Sequence, residues 1–148
     1  GEGRWAEVLH ELRPGLRYFG IEPSDYALER FGTARNLHRG NFGTLEQHAF
    51  DDPFDLVVCA DVLHYLSDAE IERGLPVFAD LVGGVAFIEI CAAEDPTDGD
   101  RDHWHARPAA WYRAKLRAAG LVPLGLQLYV HEELVDDLQA LDWVPMPA

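Results

Sequence analysis

Histidines are the side chains of this sequence best suited to moving a proton near neutral pH. His64 lies a few residues after an apolar run over residues 54–60. Its unperturbed pKa of about 6.5 would let it take a proton from a hydroxyl or an amine. His103 and His105 flank Trp104 in a second group. We therefore name His64, His103 and His105 as candidate bases, with a packing role as the alternative for His64, and Trp104 as a candidate wall of a substrate pocket.

Two stretches invite a metal interpretation, and neither is favoured. Alternate histidines on a strand share one face, so His103 and His105 could bind one ion, but no third ligand is evident nearby in the sequence. The acidic stretch over residues 94–102 resembles a calcium loop. With Gly99 as its central glycine, Pro96 stands where a ligand oxygen is needed and His105 where a glutamate is required. We interpret this stretch as a solvated loop that forms a lid or an insertion, and we expect no metal site.

The composition is that of a single globular domain over residues 1–148. The chain has 16.6 kDa, 48% hydrophobic residues and no apolar run near the length of about 18 residues that spans a bilayer. With 12 Lys and Arg against 26 Asp and Glu, the net charge is -14. Such an acidic chain repels phosphate backbones and anionic lipid, so we expect neither nucleic acid nor a membrane as partner.

Cysteine usage favours a reducing compartment. Cys59 and Cys91 are too few for a disulfide scaffold. Each ends a predicted strand with no reactive motif around it, so both are interpreted as small packing residues rather than nucleophiles. Without a signal peptide, the predicted location is the cytoplasm.

The candidate residues need secondary structure to position them, and the sequence alternates between strand and helix patterns. Apolar residues at helical spacing predict a helix over residues 5–12, ended by Pro14 and Gly15. Ser24 has the properties of an N-cap for a second helix, which stops at Gly32.

A third helix begins with the capping-box pair Ser67 and Glu70, and Gly74 and Pro76 are expected to split or kink it. Further helical segments are a weak turn over residues 45–48, a helix from Pro108 to Gly120 and a last helix over residues 132–141.

Strands are predicted between these helices. The run over residues 54–60 is almost continuously apolar, as is typical of a strand buried on both faces of a parallel sheet. Strict alternation over residues 122–130 predicts one long strand. The predicted strands are residues 16–21, 36–39, 54–60, 85–91 and 122–130.

This alternation predicts an α/β fold with a parallel sheet covered on both faces. Ligands of such sheets bind at the carboxyl ends of the strands. The loops that follow Ile21, Arg39, Ala60 and Cys91 are therefore where chemistry is expected.

At those loops the chain resembles a class I S-adenosylmethionine-dependent methyltransferase. Residues 1–5, Gly-Glu-Gly-Arg-Trp, resemble the tail of that family's glycine-rich loop, and the stretch over residues 54–66 is similar to its fourth strand and the following turn. Glu22 follows the second family strand, and Asn41 with Phe42 follows the third. The matches cover most of the chain, from Gly1 to about Val130.

The resemblance implies a role for each matched residue. Glu22, next to Pro23, would accept hydrogen bonds from both ribose hydroxyls, as a carboxylate can from a vicinal diol. Asn41 would meet the adenine amino group, although Asp is more frequent there, and the Phe42 N-H would meet a ring nitrogen. The implied cofactor-binding residues are Gly1, Gly3, Glu22, Pro23, Asn41, Phe42, Ala60 and Asp61, and Tyr65 joins Trp104 as a candidate substrate contact.

The implied fold is a Rossmann-like, doubly wound, mostly parallel sheet of the methyltransferase type whose central first strand is missing from this sequence. Either upstream residues supply that strand or neighbouring strands close the gap, because two buried unpaired edges are costly. At the other end, residues 142–145 match the final antiparallel strand of the family poorly, so that edge is expected to be short or missing.

The predicted function is methyl transfer from S-adenosylmethionine to an oxygen or nitrogen of a small molecule. His64 or a histidine of the 103–105 segment would be the base. Two alternatives stay open: a non-catalytic Rossmann-like domain that binds a nucleotide-like ligand or a partner protein, and a nicotinamide-dependent reductase. The sequence does not specify the oligomeric state.

Overall fold

The structure, a computed structural model, describes residues 1–96 and 102–142. Helices alternate with strands from the amino end onward. In chain order the elements are α1 (Arg4–Leu12), β1 (Gly20–Glu22), α2 (Asp25–Phe31), β2 (Leu37–Arg39), β3 (Phe54–Ala60), α3 (Asp68–Asp80), β4 (Val82–Glu89), α4 (Ala109–Ala118), β5 (Leu121–Gly125), β6 (Leu128–His131) and α5 (Val135–Asp142), with 3-10 helices over Phe42–Gln47, Leu63–Tyr65 and Glu132–Leu134.

The strands form two ladders. β1 pairs with β2 in parallel, and Glu22 lies opposite Arg39. The second sheet has the order β3-β4-β6-β5, in which β3 and β4 are parallel and β6 is antiparallel to both of its neighbours. The predicted α/β class is confirmed, with the parallel pair β3–β4 on one side of the sheet and the antiparallel hairpin β5–β6 on the other.

Among the described residues, no ladder joins β1 to β3. The expectation that neighbouring strands could close the place of the family's first strand is therefore not met. Instead, the two sheets share side-chain packing, because Ile21 of β1 packs against the same core cluster that β3 and β4 build.

The main core lies between the second sheet and the helices α3 and α4. Ala86 and Ile88 of β4 are fully or almost fully buried there. Phe87 lies between them in sequence and so faces the opposite side of the sheet, where its ring is 6.0 Å from the ring of Trp5 in α1. Helices thus contact both faces, although Trp5 itself stays 41% exposed and is no core residue.

Helix boundaries follow the predicted caps. The Ser24 hydroxyl accepts the N-H of Ala27, and Ser67 and Glu70 form the expected capping box. Gly74 and Pro76 were expected to split or kink α3, and the split was wrong, because the helix runs unbroken from Asp68 to Asp80 with Pro76 inside it. Gly74 has another use: a Cβ there would collide with the backbone oxygen and the ring of Phe42.

The strand predictions need two corrections. The strand predicted over residues 16–21 is reduced to Gly20–Glu22, because only these residues find partners in β2. The long strand predicted over residues 122–130 is in fact the hairpin β5–β6. Leu126 and Gln127 reverse the chain with positive φ values of 51° and 64°. Its strand β6 lies between β4 and β5 and is antiparallel to both. The expectation of a short or missing edge at residues 142–145 falls almost wholly outside the described residues.

Parts of the acidic stretch and of the carboxyl terminus lie outside the described residues. They include residues 97–101 of the predicted lid or insertion, and residues 143–148 with Trp143. Within the described chain, none of the helices combines the length and apolar character needed to cross a membrane.

Candidate active site

The carboxyl ends of β2 and β3 lie on the same side of the molecule. The 3-10 helix that follows β2 packs against the first turns of α3, which follows β3: a Cβ on Gly43 would be 3.0 Å from the side chain of Glu70, and Arg73 donates to the Gly43 carbonyl at 3.4 Å. The loops predicted to carry chemistry are therefore gathered at one edge.

Glu22 is a buried carboxylate at the end of β1. Only 4% of the residue is exposed. Its Oε1 accepts the Ser24 N-H at 2.8 Å, and its Oε2 contacts the backbone nitrogen of Gly1. Next to it, Pro23 is exposed. Burial of a carboxylate is costly unless hydrogen-bond donors surround it. The Glu22 carboxylate therefore suits a ligand or a backbone segment that donates hydrogen bonds.

The amino-terminal glycines pack against the same ladder. Gly3 precedes α1 with a φ of 71°, and a Cβ there would be 2.8 Å from the Leu37 side chain in β2. Both the left-handed backbone and the close approach require glycine. Together with the Gly1–Glu22 contact, this brings Gly1, Gly3 and Glu22 into one group.

Asn41 lies at the end of the neighbouring strand with an unused acceptor. The Gly40 N-H donates to the Glu22 carbonyl at 3.2 Å, which holds this loop beside β1. Thr44 satisfies the backbone N-H and carbonyl of Asn41. The Asn41 side-chain oxygen is buried and has no hydrogen-bond partner within the described part of the chain. Phe42 is 8% exposed, and its N-H opens a 3-10 helix, where N-H groups lack an intrahelical acceptor.

A second group lies beyond β3. Asp61 follows Ala60 with a positive φ of 62°, and its N-H donates to the Glu89 carbonyl at 3.2 Å. His64 is 2% exposed. Its Nδ1 accepts the Cys91 N-H at 3.3 Å, and its Nε2 is 3.5 Å from an Asp61 carboxylate oxygen. Burial lowers the pKa of His64, and the Asp61 charge opposes that shift.

The candidate substrate residues border this group. Tyr65 is 46% exposed, and its ring centroid is 4.2 Å from that of His64. The His105 N-H donates to the His64 carbonyl at 2.8 Å, which ties the 102–108 segment to the loop after β3. Trp104 is half-buried, whereas the side chains of His103 and His105 are exposed.

Arg107 holds that segment in place, and sequence reasoning missed it. Although only 8% exposed, its guanidinium donates to the Leu66 carbonyl at 2.7 Å and to Asp68 at 2.8 Å, and weakly to the Leu63 carbonyl at 3.4 Å. It also stacks 4.7 Å from the Trp111 ring. All these partners except Trp111 are about forty residues away in sequence, so no local sequence pattern predicts these contacts.

Cysteine and metal chemistry find no support in the described residues. Burial raises the pKa of Cys59 to about 12, which keeps its sulfur protonated and unreactive. Within residues 1–96 and 102–142, no three His, Cys, Asp or Glu side chains are grouped closely enough to hold a metal ion.

A family model described as "Methyltransferase domain" matches residues 1–83, which include Gly1, Gly3, Glu22, Asn41, Asp61 and His64. The chain belongs to the methyltransferase domain family. S-adenosylmethionine is the cofactor that this membership indicates. No curated protein matches the chain.

Solved methyltransferase structures have the same fold. One is a Haloferax volcanii protein assigned as a methyltransferase and solved with a methyltransferase activator (20% identity, TM-score 0.61, 82% of this chain and 57% of that one). Another is a Thermotoga maritima S-adenosylmethionine-dependent methyltransferase described as a possible histamine N-methyltransferase (18% identity, TM-score 0.54, 83% of this chain and 60% of that one). A third is an O-methyltransferase from neocarzinostatin biosynthesis, in complex with S-adenosyl-L-homocysteine and 1,4-dihydroxy-2-naphthoic acid (19% identity, TM-score 0.58, 88% of this chain and 44% of that one).

This methyltransferase domain therefore spans between about two fifths and three fifths of the length of these neighbours. At these identities the likeness concerns the fold. Substrates and partners have to be argued from this chain's own residues.

Those residues fit the adenosyl part of the cofactor at two points. The unpartnered oxygen of Asn41 is an acceptor, and the adenine amino group is a donor. The buried Glu22 carboxylate has lone pairs beyond the contacts described, and ribose hydroxyls donate. Both side chains are thus acceptors, which is the polarity that the donors of the cofactor need.

Proposed function

We propose that this domain binds S-adenosylmethionine along the carboxyl edge of its strands and transfers the methyl group to an oxygen or nitrogen of a small molecule. The proposal rests first on the buried acceptor pair formed by Glu22 and Asn41. The Asn41 oxygen has no donor within the described residues, which is expensive inside a protein, whereas the Glu22 carboxylate has one donor on each oxygen and lone pairs to spare. A nucleoside supplies both donors at once.

In this proposal each residue has a binding or positioning task. Glu22 accepts both ribose hydroxyls and Asn41 accepts the adenine amino group, while Gly1 and Gly3 let the backbone approach the cofactor closely. The backbone of Ala60 and Asp61 faces the methionine portion. When bound, S-adenosylmethionine supplies an electrophilic methyl group on a sulfonium centre. The protein's contribution is mainly alignment and exclusion of water.

The acceptor is proposed to bind beside the 102–108 segment. Tyr65 and Trp104 are the proposed walls of its pocket, and the exposed imidazoles of His103 and His105 could receive the proton that the nucleophile loses. The neocarzinostatin neighbour holds a small aromatic acid, which supports a small-molecule acceptor. The net charge of -14 disfavours nucleic acid as a substrate. We propose a cytoplasmic location from the cysteine usage.

Titration calorimetry with S-adenosylhomocysteine tests the cofactor site. We expect binding by the wild-type protein. Glu22→Gln should weaken it by about 10- to 100-fold, because a hydrogen bond to a charged group contributes about 1.5–3 kcal/mol. Glu29→Gln is the matched control, since Glu29 is an exposed carboxylate on α2. Equal affinities of the two variants would refute the ribose role of Glu22.

The rival function is a non-catalytic domain that binds a nucleotide-like ligand or a partner protein. One observation favours it: the described sheets share no ladder. Labelled methyl transfer to a panel of small amines and phenols separates the two functions. Cofactor binding without any methylated product over the panel would favour the rival.

A further inference from the structure

His64 is a buried titratable group whose two ring nitrogens have different partners. Nδ1 accepts the N-H of Cys91 at the end of β4. A neutral imidazole with an acceptor at Nδ1 carries its proton on Nε2. That nitrogen lies 3.5 Å from a carboxylate oxygen of Asp61. In this arrangement neither nitrogen offers a lone pair to a substrate.

Asp61 in turn has an unusual conformation and few restraints on its side chain. A positive φ is uncommon for a residue other than glycine and costs on the order of 1–3 kcal/mol, so the surroundings have to impose it. Its N-H is held by Glu89, but 75% of its side chain is exposed. The nearby His64 N-H is the described group that can direct the carboxylate.

His64 is itself fixed from three sides. The ring is held by the Cys91 N-H and covered by Tyr65, and its carbonyl accepts the N-H of His105. The imidazole therefore connects the end of β4, the loop after β3 and the 102–108 segment. A ring fixed at that junction can hold the Asp61 side chain in one orientation.

We propose that His64 is a positioning residue, which stays neutral with its proton on Nε2 and orients the Asp61 carboxylate toward the cationic methionine end of the cofactor. This inference rests on the proposed cofactor site, and it assigns His64 a role other than that of the base. Burial also lowers the pKa of His64, which keeps the ring neutral at working pH. The proton of the acceptor then has to leave through another group.

The tautomer is tested first, in the free protein. Nitrogen-15 NMR of labelled histidine, assigned with a His64→Gln variant, should show the His64 ring neutral and protonated on Nε2 at pH 7.5. The Asp61→Asn variant, at an exposed side chain, should move the Nε2 resonance. A proton on Nδ1, a charged ring at pH 7.5, or a resonance indifferent to Asp61→Asn would overturn the proposal.

Two substitutions then separate positioning from packing. In His64→Asn the side-chain oxygen can still accept from Cys91, but the donor toward Asp61 is lost. In His64→Gln an amide N-H can still reach Asp61. We expect S-adenosylhomocysteine affinity to fall about fivefold in His64→Asn and less than twofold in His64→Gln. The His64→Asn effect should vanish in an Asp61→Asn background.

The outcomes distinguish this inference from the function on which it rests. Wild-type protein that binds no S-adenosylhomocysteine would refute the cofactor site itself. Wild-type binding with equal losses in His64→Asn and His64→Gln, or with the His64→Asn loss persisting beside Asp61→Asn, would refute the positioning role alone. If both His64 variants fail to fold, the His64 ring is assigned by elimination from Gln variants of the other six histidines, and the NMR comparison of the wild type with Asp61→Asn decides.

Discussion

At the scale of single residues, Arg107 shows how a charged side chain can be the main restraint on a loop. Its guanidinium satisfies the carbonyl of Leu66 and pairs with Asp68 while it lies over Trp111. Because Asp68 is largely exposed, the ion pair itself contributes little. The larger cost of losing the guanidinium comes from carbonyls left buried without donors.

We therefore expect Arg107→Met to lower the free energy of unfolding by about 2–3 kcal/mol, measured by urea denaturation. Arg113→Met is the matched control, because Arg113 is exposed on the nearby helix α4, and it should change stability by less than about 0.5 kcal/mol. Arg107→Lys keeps the charge but not the forked set of N-H donors, so its loss of unfolding free energy should lie between those of the two Met variants. Equal stabilities of the two Met variants would show that the Arg107 contacts are not needed to hold the segment.

At the scale of elements, the close approach of α3 to the 3-10 helix Phe42–Gln47 fixes the loop that carries Asn41. Ala is a better helix former than Gly by about 1 kcal/mol, so Gly74→Ala would stabilise an open helix. Here the added Cβ meets the backbone oxygen of Phe42. We expect Gly74→Ala to destabilise the protein by about 1–3 kcal/mol in urea denaturation and to weaken S-adenosylhomocysteine binding. A gain in stability would contradict this packing.

The sequence predicted elements best where the signal was local. The capping box of Ser67 and Glu70 and the N-cap Ser24 are where they were expected, because a cap is formed by residues within one turn. The hairpin β5–β6 was missed because alternation continues through its turn, where Leu126 and Gln127 replace the usual Asn and Gly. Gly125, with a φ of 105°, was the one local sign of a turn.

The candidate site likewise divides into residues with a local sequence signal and residues that depend on long-range contacts. Glu22 and Asn41 could be proposed from the sequence, because each stands at the end of a predicted strand and has a family counterpart. The structure brings Glu22 together with Gly1 and places Asn41 in the next loop. The tautomer of His64 depends on the N-H of Cys91, 27 residues away, and Arg107 depends on carbonyls farther still. Such long-range contacts have no local pattern.

At the scale of the whole molecule, the proposed ligand would connect two sheets that the backbone leaves separate. Glu22 and Asn41 lie at the ends of β1 and β2, while Asp61 and His64 follow β3. No hydrogen-bond ladder joins these pairs of strands in the part of the chain that the structure describes. Side-chain packing around Ile21 is a weaker link than a ladder. Without ligand, the short β1–β2 ladder should therefore open more readily than β3–β4.

Native-state hydrogen exchange measures this directly. We expect the amides of β3 and β4 to exchange most slowly and those of β1 and β2 to exchange through openings of lower free energy, since that ladder has three residue pairs against at least six. S-adenosylhomocysteine at about 100 times its Kd should raise the opening free energy of both ladders by up to about 2.7 kcal/mol, because any opening that destroys the site must first release the ligand. Protection gained only by β1 and β2 would mean that Asp61 takes no part in binding. Protection gained by both would show that the bound cofactor couples the two sheets into one cooperative unit.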